Sequence, residues 1–501
     1  MREQPLRPTR HPGLPLSAVA PTASGRISGV CLDSRAVRPG DLYVALPGQH
    51  AHGASFAAQA VASGAVAVLT DAAGAADLSG LGVPVIVDAD PRAAMGELAG
   101  RVYGNPSERL EMFGVTGTNG KTSTVFLLEA ALGALGRRVA TIGTIGFRIA
   151  GENVATRRGT VTTPDAPDLQ GMLGAMVEEG VESVAMEVSS HALALHRVAG
   201  IAFDVAAFTM FGTDHLDFHP SLDDYFEAKS RLFLGGRTRA AVINIDDPWG
   251  RRLADLVRAD GHARLITTGV DSAAADYRVT ARATGADGRS DVTLRTPDGE
   301  VIFTISMLGD FNVFNALTAL AVVGAAGLDV AKAASGLASA HVPGRMQRLD
   351  LGPSAPHVVV DFAHTPQAVE AALRALPAGG RHLVVLGAGG DRDATKRGPM
   401  GAAAARCADV VVVTDDNPRS EVPEDIRAAV LAGARGAAAD GVRVLDGGDR
   451  RSAIAEALAL AGPGDWVAIL GKGHESGQII GTQIHPFDDA LVAGELARRS
   501  L

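Results

Sequence analysis

Short apolar runs alternate with stretches of helical period along most of the chain, the pattern of strands layered against helices. In the first hundred residues, runs at 42–46, 65–69 and 83–87 read as strands between Ala-rich helical stretches. A second series opens at Leu110 with a strand at 112–115, a loop at 116–120 and a helix through Leu132. Strands at 183–186, 204–208 and 240–243 follow, each beside a helix-period segment, which predicts a doubly wound sheet. Residues 276–306 switch to period two in Val292-Thr293-Leu294-Arg295 and Val301-Ile302-Phe303-Thr304-Ile305. With Pro297-Asp298-Gly299 between them, these runs predict a hairpin. A helical pattern then spans Asn312 to about Ala340, and the turn-rich Val342-Pro343-Gly344 marks a boundary. The last series places strands at 357–361, 382–386, 410–414 and 466–470. The expected fold class is α/β, a smaller unit followed by two larger ones.

Length supports that grouping. At roughly 150 residues per domain, 501 residues make about three domains, and the pattern sets their bounds at 1–109, 110–343 and 344–501. Apolar residues are 47% and charged residues 20%, a globular balance. Lys plus Arg is 46 against 56 for Asp plus Glu, a net charge of −10, the wrong sign for coating nucleic acid or an anionic lipid surface. The 60 glycines follow no Gly-x-y period, so they serve turns and close backbone approach. Cys31 and Cys407 alone give neither a disulfide framework nor a thiolate cluster, which fits a reducing compartment. Residues 1–24 lack an apolar signal core, and the apolar stretch 316–328 is too short to span a bilayer. The expectation is a cytoplasmic protein with a frayed start and no membrane insertion.

The candidate chemistry lies at strand ends, where open α/β sheets place ligands. Thr116-Gly117-Thr118-Asn119-Gly120-Lys121-Thr122 joins an apolar strand to a helix, the setting in which backbone amides and a helix N-terminus cradle a polyphosphate. Val115 stands where the strict P-loop pattern requires glycine, so an ordinary GTPase or motor fits less well. Glu187-Val188-Ser189-Ser190-His191 and Thr213 to His219 follow two further strands and could hold magnesium beside phosphate. His215 and His219 could also begin a zinc site or simply be core histidines. Lys229 falls on the apolar stripe of Leu222, Tyr225, Phe226, Leu232 and Phe233. Spacing alone favours a side chain that snorkels to water; the alternative is a desolvated amine able to take up carbon dioxide as a carbamate. Three strand ends of the last series, at 387–393, 415–419 and 471–475, should converge on one edge. Their Arg, Asn, Asp and Glu side chains suit an amino acid. Gly387-Ala388-Gly389-Gly390 is not a dinucleotide fingerprint.

An ordered series over nearly the whole chain resembles the Mur ligase family. It comprises Asp33-Ser34-Arg35, the loop 116–123, Thr162-Thr163-Pro164, Glu187 to His191, Asp214-His215-Leu216-Asp217 and Lys229. It continues with Gly309-Asp310-Phe311-Asn312, Pro343-Gly344-Arg345, Asp361 to Pro366, Asp416 to Arg419 and Gly471 to Glu475. The resemblance implies a small N-terminal UDP-binding domain, a central P-loop-type ATPase domain and a C-terminal Rossmann-like domain. It further implies an ATP- and magnesium-dependent ligase of peptidoglycan synthesis and cell wall biogenesis, acting as a monomer. The step implied is addition of diaminopimelate to UDP-N-acetylmuramoyl-L-alanyl-D-glutamate through an acyl phosphate, with domain closure uniting donor and acceptor.

Residue roles come from the same resemblance. Gly117, Thr118, Asn119, Gly120, Lys121, Thr122 and Ser123 would hold ATP together with Asn312, Arg345 and Asp361. Lys121, Glu187, His215 and Lys229 would be catalytic, and Thr122, Glu187, His215 and the Lys229 carbamate would serve magnesium. Ser34 would meet the uridine end; Thr162, Thr163, Ser189 and Arg197 would hold the muramyl dipeptide. Arg392, Asp416, Asn417, Pro418, Arg419, Gly471 and Glu475 would bind diaminopimelate. In the family, Asp-Asn-Pro-Arg accompanies diaminopimelate, whose second carboxylate Arg419 would grip. A folylpolyglutamate-synthase-like enzyme would share the nucleotide loop without a reason for that segment. A nucleotide switch would need an Asn-Lys-x-Asp segment, which the sequence lacks.

Overall fold

The computed structural model describes residues 6–48, 50–154, 161–285, 287–352 and 354–500. Part of the expected frayed start, residues 1–5, lies outside them. The chain forms two compact units: Met1–Ala281 with Thr293–Phe303 and Phe314–Leu337, and Arg282–Val292 with Thr304–Val313 and Ala338–Leu501.

In the first unit, Gly29–Cys31, Asp41–Ala45, Ala67–Thr70 and Val85–Val87 form a parallel sheet in chain order. Successive residues of a strand face opposite ways, so Leu42 and Val44 join Met95, Ala99 and Val102 in one core, while Tyr43 and Ala45 join Ala57 and Ala60 in another. Burial on both faces explains the continuous apolar runs.

The same unit holds a larger parallel sheet. Its neighbours run Val139–Gly143, Ser183–Glu187, Glu111–Thr116, Phe203–Phe208, Thr238–Asn244 and Arg264–Gly269. Glu111–Thr116, first in sequence, lies in the middle, and the strand order reverses beside it. The crevice outside the carboxyl ends of such strands is where ligands bind. The strands Val139–Gly143 and Arg264–Gly269 escaped the sequence reading. Three further strands follow in the chain at Tyr277–Thr284, Ser290–Thr296 and Gly299–Ile305, the last two joined at Pro297-Asp298 as the hairpin pattern predicts.

One expected element is broken. The helix expected from Asn312 to about Ala340 is Asp310–Ala325 followed by separate short turns at Val330–Ala334 and Ser335–Ser339. Gly327 takes φ +75° between them, a conformation that ends a helix, and the Asp329 side chain accepts from Lys332 N to start the next. Among the described residues no helix is long and apolar enough to cross a membrane.

In the second unit the sheet runs Gln347–Leu349, His357–Asp361, Trp466–Leu470, His382–Leu386, Val410–Thr414 and Arg443–Gly448. Only the first strand is antiparallel. The strand Trp466–Leu470, last of the sheet in sequence, inserts between His357–Asp361 and His382–Leu386. That insertion sets the ends of 466–470, 382–386 and 410–414 side by side.

Candidate active site

The strand Glu111–Thr116 delivers its chain into a loop that only glycine can form at two points. Gly117 takes φ +147°, and a Cβ there would sit 2.0 Å from the Thr209 hydroxyl; at Gly120, φ +87°, it would meet Asn315 Oδ1 at 2.5 Å. The Thr209 Oγ1 donates to the carbonyls of Thr116 (3.2 Å) and Asn119 (2.6 Å), and Thr118 N donates to Met210 O at 2.7 Å. These bonds fix the loop from the neighbouring strand end, so the amides opening the helix Lys121–Ala134 are preorganised. Thr122 and Ser123 lie buried in its first turn. Lys121 Nζ turns back to the carbonyls of Gly117 and Thr118, each 2.9 Å away.

Lys229 meets this loop from the helix Leu222–Ser230. Its Nζ donates to Gly117 O at 2.8 Å and sits 4.5 Å from the centre of the Tyr225 ring. The residue is 1% exposed, which overturns the snorkelling expectation: tertiary packing closes the route to water. Burial, reinforced by the charge of Lys121, holds the amine well below the usual lysine range.

Glu187, also buried, accepts from Thr144 N (2.7 Å) and Thr144 Oγ1 (3.1 Å). Both carboxylate oxygens keep further acceptor capacity. His215 takes the left-handed φ of +53°, with its ring edge-on to His191, centroids 4.9 Å apart. Burial lowers the pKa of both rings, that of His191 to about 4 with His215 and His219 adding to the effect. His219 is buried with Nε2 2.9 Å from Ser190 Oγ, the satisfied core histidine of the bland reading. Among the described residues no three His, Cys, Asp or Glu side chains gather as a metal cage.

The positions expected to hold the dipeptide form one network. Thr163 Oγ1 donates to Glu187 O and accepts from Ser189 N, Arg197 Nη1 donates to Thr163 O at 3.1 Å, and Thr162 Oγ1 lies 3.1 Å from Thr144 Oγ1. Ser34, in the small sheet's part of the unit, donates to Gln59 Oε1 at 3.2 Å.

In the second unit, the carboxylate of Asp361 accepts from Met346 N and Ala363 N, and Asn312 donates to Leu308 O. Burial raises the Asp361 pKa against the pull of nearby Arg345, whose guanidinium lies over the Phe362 ring at 4.5 Å. The converging strand ends enclose a cavity of about 280 Å³ lined by Arg392, Asp416, Asn417, Arg419, Gly471 and Glu475. Pro418 does not line it. Asn417 Nδ2 donates to Glu475 Oε2 at 2.9 Å, while Arg419, at φ +53°, donates to Gly390 O at 2.6 Å.

Sequence reasoning missed several partners. Thr209 and Thr144 each follow a strand of the large sheet, the position that was the available signal. Lys396, Phe362 and His364 also line the cavity. Lys472, 1% exposed, donates to Asn417 Oδ1 and Glu475 Oε2 and so fixes both.

Three family descriptions match the chain in order: "Mur ligase family, catalytic domain" over residues 26–103, "Mur ligase middle domain" over 115–323, and "Mur ligase, glutamate ligase domain" over 344–473. The chain belongs to the Mur ligase family. A Streptomyces coelicolor relative named "UDP-N-acetylmuramoyl-L-alanyl-D-glutamate--2,6-diaminopimelate ligase" is 47% identical, covering 99% of each chain. A Corynebacterium efficiens relative of the same name is also 47% identical, over 96% of this chain and 92% of its own. A solved structure of a ligase so named superposes with TM-score 0.72 at 31% identity, covering 97% of this chain and 99% of that one. This Mur ligase therefore has the three-domain α/β architecture of its family.

Proposed function

We propose that this Mur ligase uses ATP to join diaminopimelate to UDP-N-acetylmuramoyl-L-alanyl-D-glutamate in bacterial peptidoglycan precursor synthesis. The observation that carries the reading is the cavity of the second unit. Arg392 and Arg419 supply cations for carboxylates, and Asp416, Asn417 and Glu475 supply acceptors for ammonium groups. Diaminopimelate has two of each. Lysine would leave Arg419 without its anionic partner, a loss that a site built on buried polar groups penalises heavily.

The donor carboxylate and the γ-phosphate repel each other, so the first step needs positive charge. Lys121, released from the loop carbonyls, and the amides of residues 117–123 would receive the phosphates, with Asn312, Arg345 and Asp361 as further ATP contacts. Glu187, Thr122 and His215 would hold magnesium, which supplies charge neutralisation at the transferring phosphate. A neutral Lys229 amine is the form that adds to carbon dioxide; the N–C bond forms, a proton leaves, and the carbamate adds an anionic ligand. Ser34 would bind the uridine end, and Thr162, Thr163, Ser189 and Arg197 the muramyl dipeptide. The carboxylate oxygen attacks the γ-phosphorus and ADP departs. The diaminopimelate amine, its ammonium proton lost to solvent, then attacks the acyl carbon to form the C–N bond; the tetrahedral oxyanion, stabilised by nearby cations, collapses by breaking the C–O bond to inorganic phosphate, and nitrogen gives up a second proton. The domains carrying these roles are taken as 1–109, 110–343 and 344–501, in a monomeric cytoplasmic enzyme.

The test supplies purified protein with ATP, magnesium and the UDP-linked dipeptide, then meso-diaminopimelate, LL-diaminopimelate or lysine in separate reactions. Phosphate release should require both the dipeptide and a diaminopimelate isomer. Equal turnover with lysine, or release without any amine, overturns the proposal.

A further inference from the structure

Arg450 opens the helix Arg450–Leu460, and both it and Asp489, first residue of Asp489–Ser500, have fully buried side chains. The guanidinium grips that carboxylate with two bonds of 2.7 Å, Nε to Oδ1 and Nη2 to Oδ2, and Nη2 also donates to Leu470 O at 2.9 Å. Its remaining nitrogen, Nη1, is buried without a hydrogen-bond partner. That atom lies 4.0 Å from Asp416 Oδ2, and Asp416 lines the amino-acid cavity.

This arrangement is unfavourable for a purely structural ion pair. A buried N–H left unmade costs about 1–3 kcal/mol, and a cation in the first turn of a helix opposes the helix dipole. Both costs are understandable if the third nitrogen serves Asp416. Gly471 points the same way, because a Cβ there would come within 2.6 Å of Asp416 Oδ2. The space behind this carboxylate is kept clear so that it can approach the strand end beneath which Arg450 sits.

Charge counting gives the consequence. Arg450, Asp489 and Asp416 together carry one net negative charge, enough to receive one ammonium group. Asp489 holds the guanidinium back from a direct pair with Asp416, which would consume the acceptor the cavity needs. We infer that Arg450 is a positioning residue for amino-acid recognition: clamped by Asp489, it steers the Asp416 carboxylate toward the substrate ammonium without neutralising it. The inference rests on the cavity being the amino-acid site.

The experiment measures KM for diaminopimelate, ATP and the UDP-linked dipeptide, with kcat and thermal melting, in Arg450→Lys, Asp489→Asn, Asp416→Asn and the double variant Arg450→Lys/Asp416→Asn. Asp489→Asn frees the fork to close on Asp416, so KM for diaminopimelate should rise at least about tenfold while the other two stay within about twofold. Arg450→Lys keeps the charge but loses the third nitrogen and should raise the same KM about fivefold. In the Asp416→Asn background Arg450→Lys should add nothing, since its route to the ligand is gone. Lowered melting with parallel changes in all three KM values, or an additive double variant, overturns the inference and leaves the pair a structural one. If a variant fails to fold, the double-mutant comparison with the conservative Arg450→Lys decides. Failure of the unaltered enzyme to use diaminopimelate is a separate outcome: it overturns the substrate assignment, and the positioning role with it.

Discussion

Lys229 Nζ donates to the carbonyl oxygen of Gly117 across 2.8 Å, the same oxygen that Lys121 Nζ reaches at 2.9 Å, so a helix-borne amine is tied to the 116–123 loop beside a second lysine. An amine held there, desolvated and beside a second cation, is disposed to be neutral and therefore to react with carbon dioxide. Turnover of the unaltered enzyme should rise with dissolved carbon dioxide in degassed buffer. Lys229→Ala should lower kcat by about 10²–10³, the scale of losing one charge aligned with the transition state. Its residual rate should not respond to carbon dioxide; a response equal to the parent's would remove the carbamate from the mechanism.

The single Thr209 hydroxyl proton faces two loop carbonyls, the nearer being Asn119 O at 2.6 Å, so Thr209→Val keeps shape and removes that donor. At about 1 kcal/mol for one bond, KM for ATP should rise roughly fivefold while KM for diaminopimelate stays constant. Steady-state kinetics with each substrate varied would decide, and an unchanged ATP constant would show that the loop holds its form without Thr209.

Arg419→Ala should raise KM for diaminopimelate at least about thirtyfold, as expected when one partner of a charge pair is truncated. Affinity for ATP should be nearly unaffected. Equal losses for both ligands would remove Arg419 from the specificity role.

His474 carries a pH signature. Burial first, then Arg345 and Lys472, push its imidazole down to about 4 from an ordinary 6.5, and its Nδ1 is buried without a partner. Between these values the unfolded chain binds the proton and the folded one does not, so stability falls as pH drops from about 6.5 to about 4. At about 1.4 kcal/mol per unit, the loss approaches about 3 kcal/mol at the acid end. Urea unfolding of the parent and His474→Gln across that range should show a difference that changes with pH there and is flat above pH 7. A constant offset would mean that the ring titrates normally.

Much of the candidate site's geometry was readable because strand-end placement is local. The loop 116–123 declares itself by an apolar strand, glycines and a lysine in sequence, and Asp416 to Arg419 and Gly471 to Glu475 stand at the ends of strands whose valines and leucines mark them. The helix from Asp310 was read too long because one glycine in a helical pattern is compatible with continuation, and only φ +75° at Gly327 shows that it ends. The strand Arg443–Gly448 was missed since it is partly exposed and interrupted by Asp446-Gly447-Gly448.

By itself the sequence determined most of the strands, where the glycine-rich strand-to-helix loop 116–123 sits and which residue types end each of those strands, because those depend on neighbours within a few positions. The tertiary structure decided the rest. Lys229 is held well below the usual lysine range by burial that no helical spacing reports. Strand 466–470 slips between 357–361 and 382–386, so residues 416 and 471 meet although 55 positions apart in the numbering. Arg450, which no motif marks, is buried against Asp489, 39 residues on. Such contacts arise from which sheet edges and helices pack together, a free energy summed over the whole core, and no local pattern in the chain encodes it.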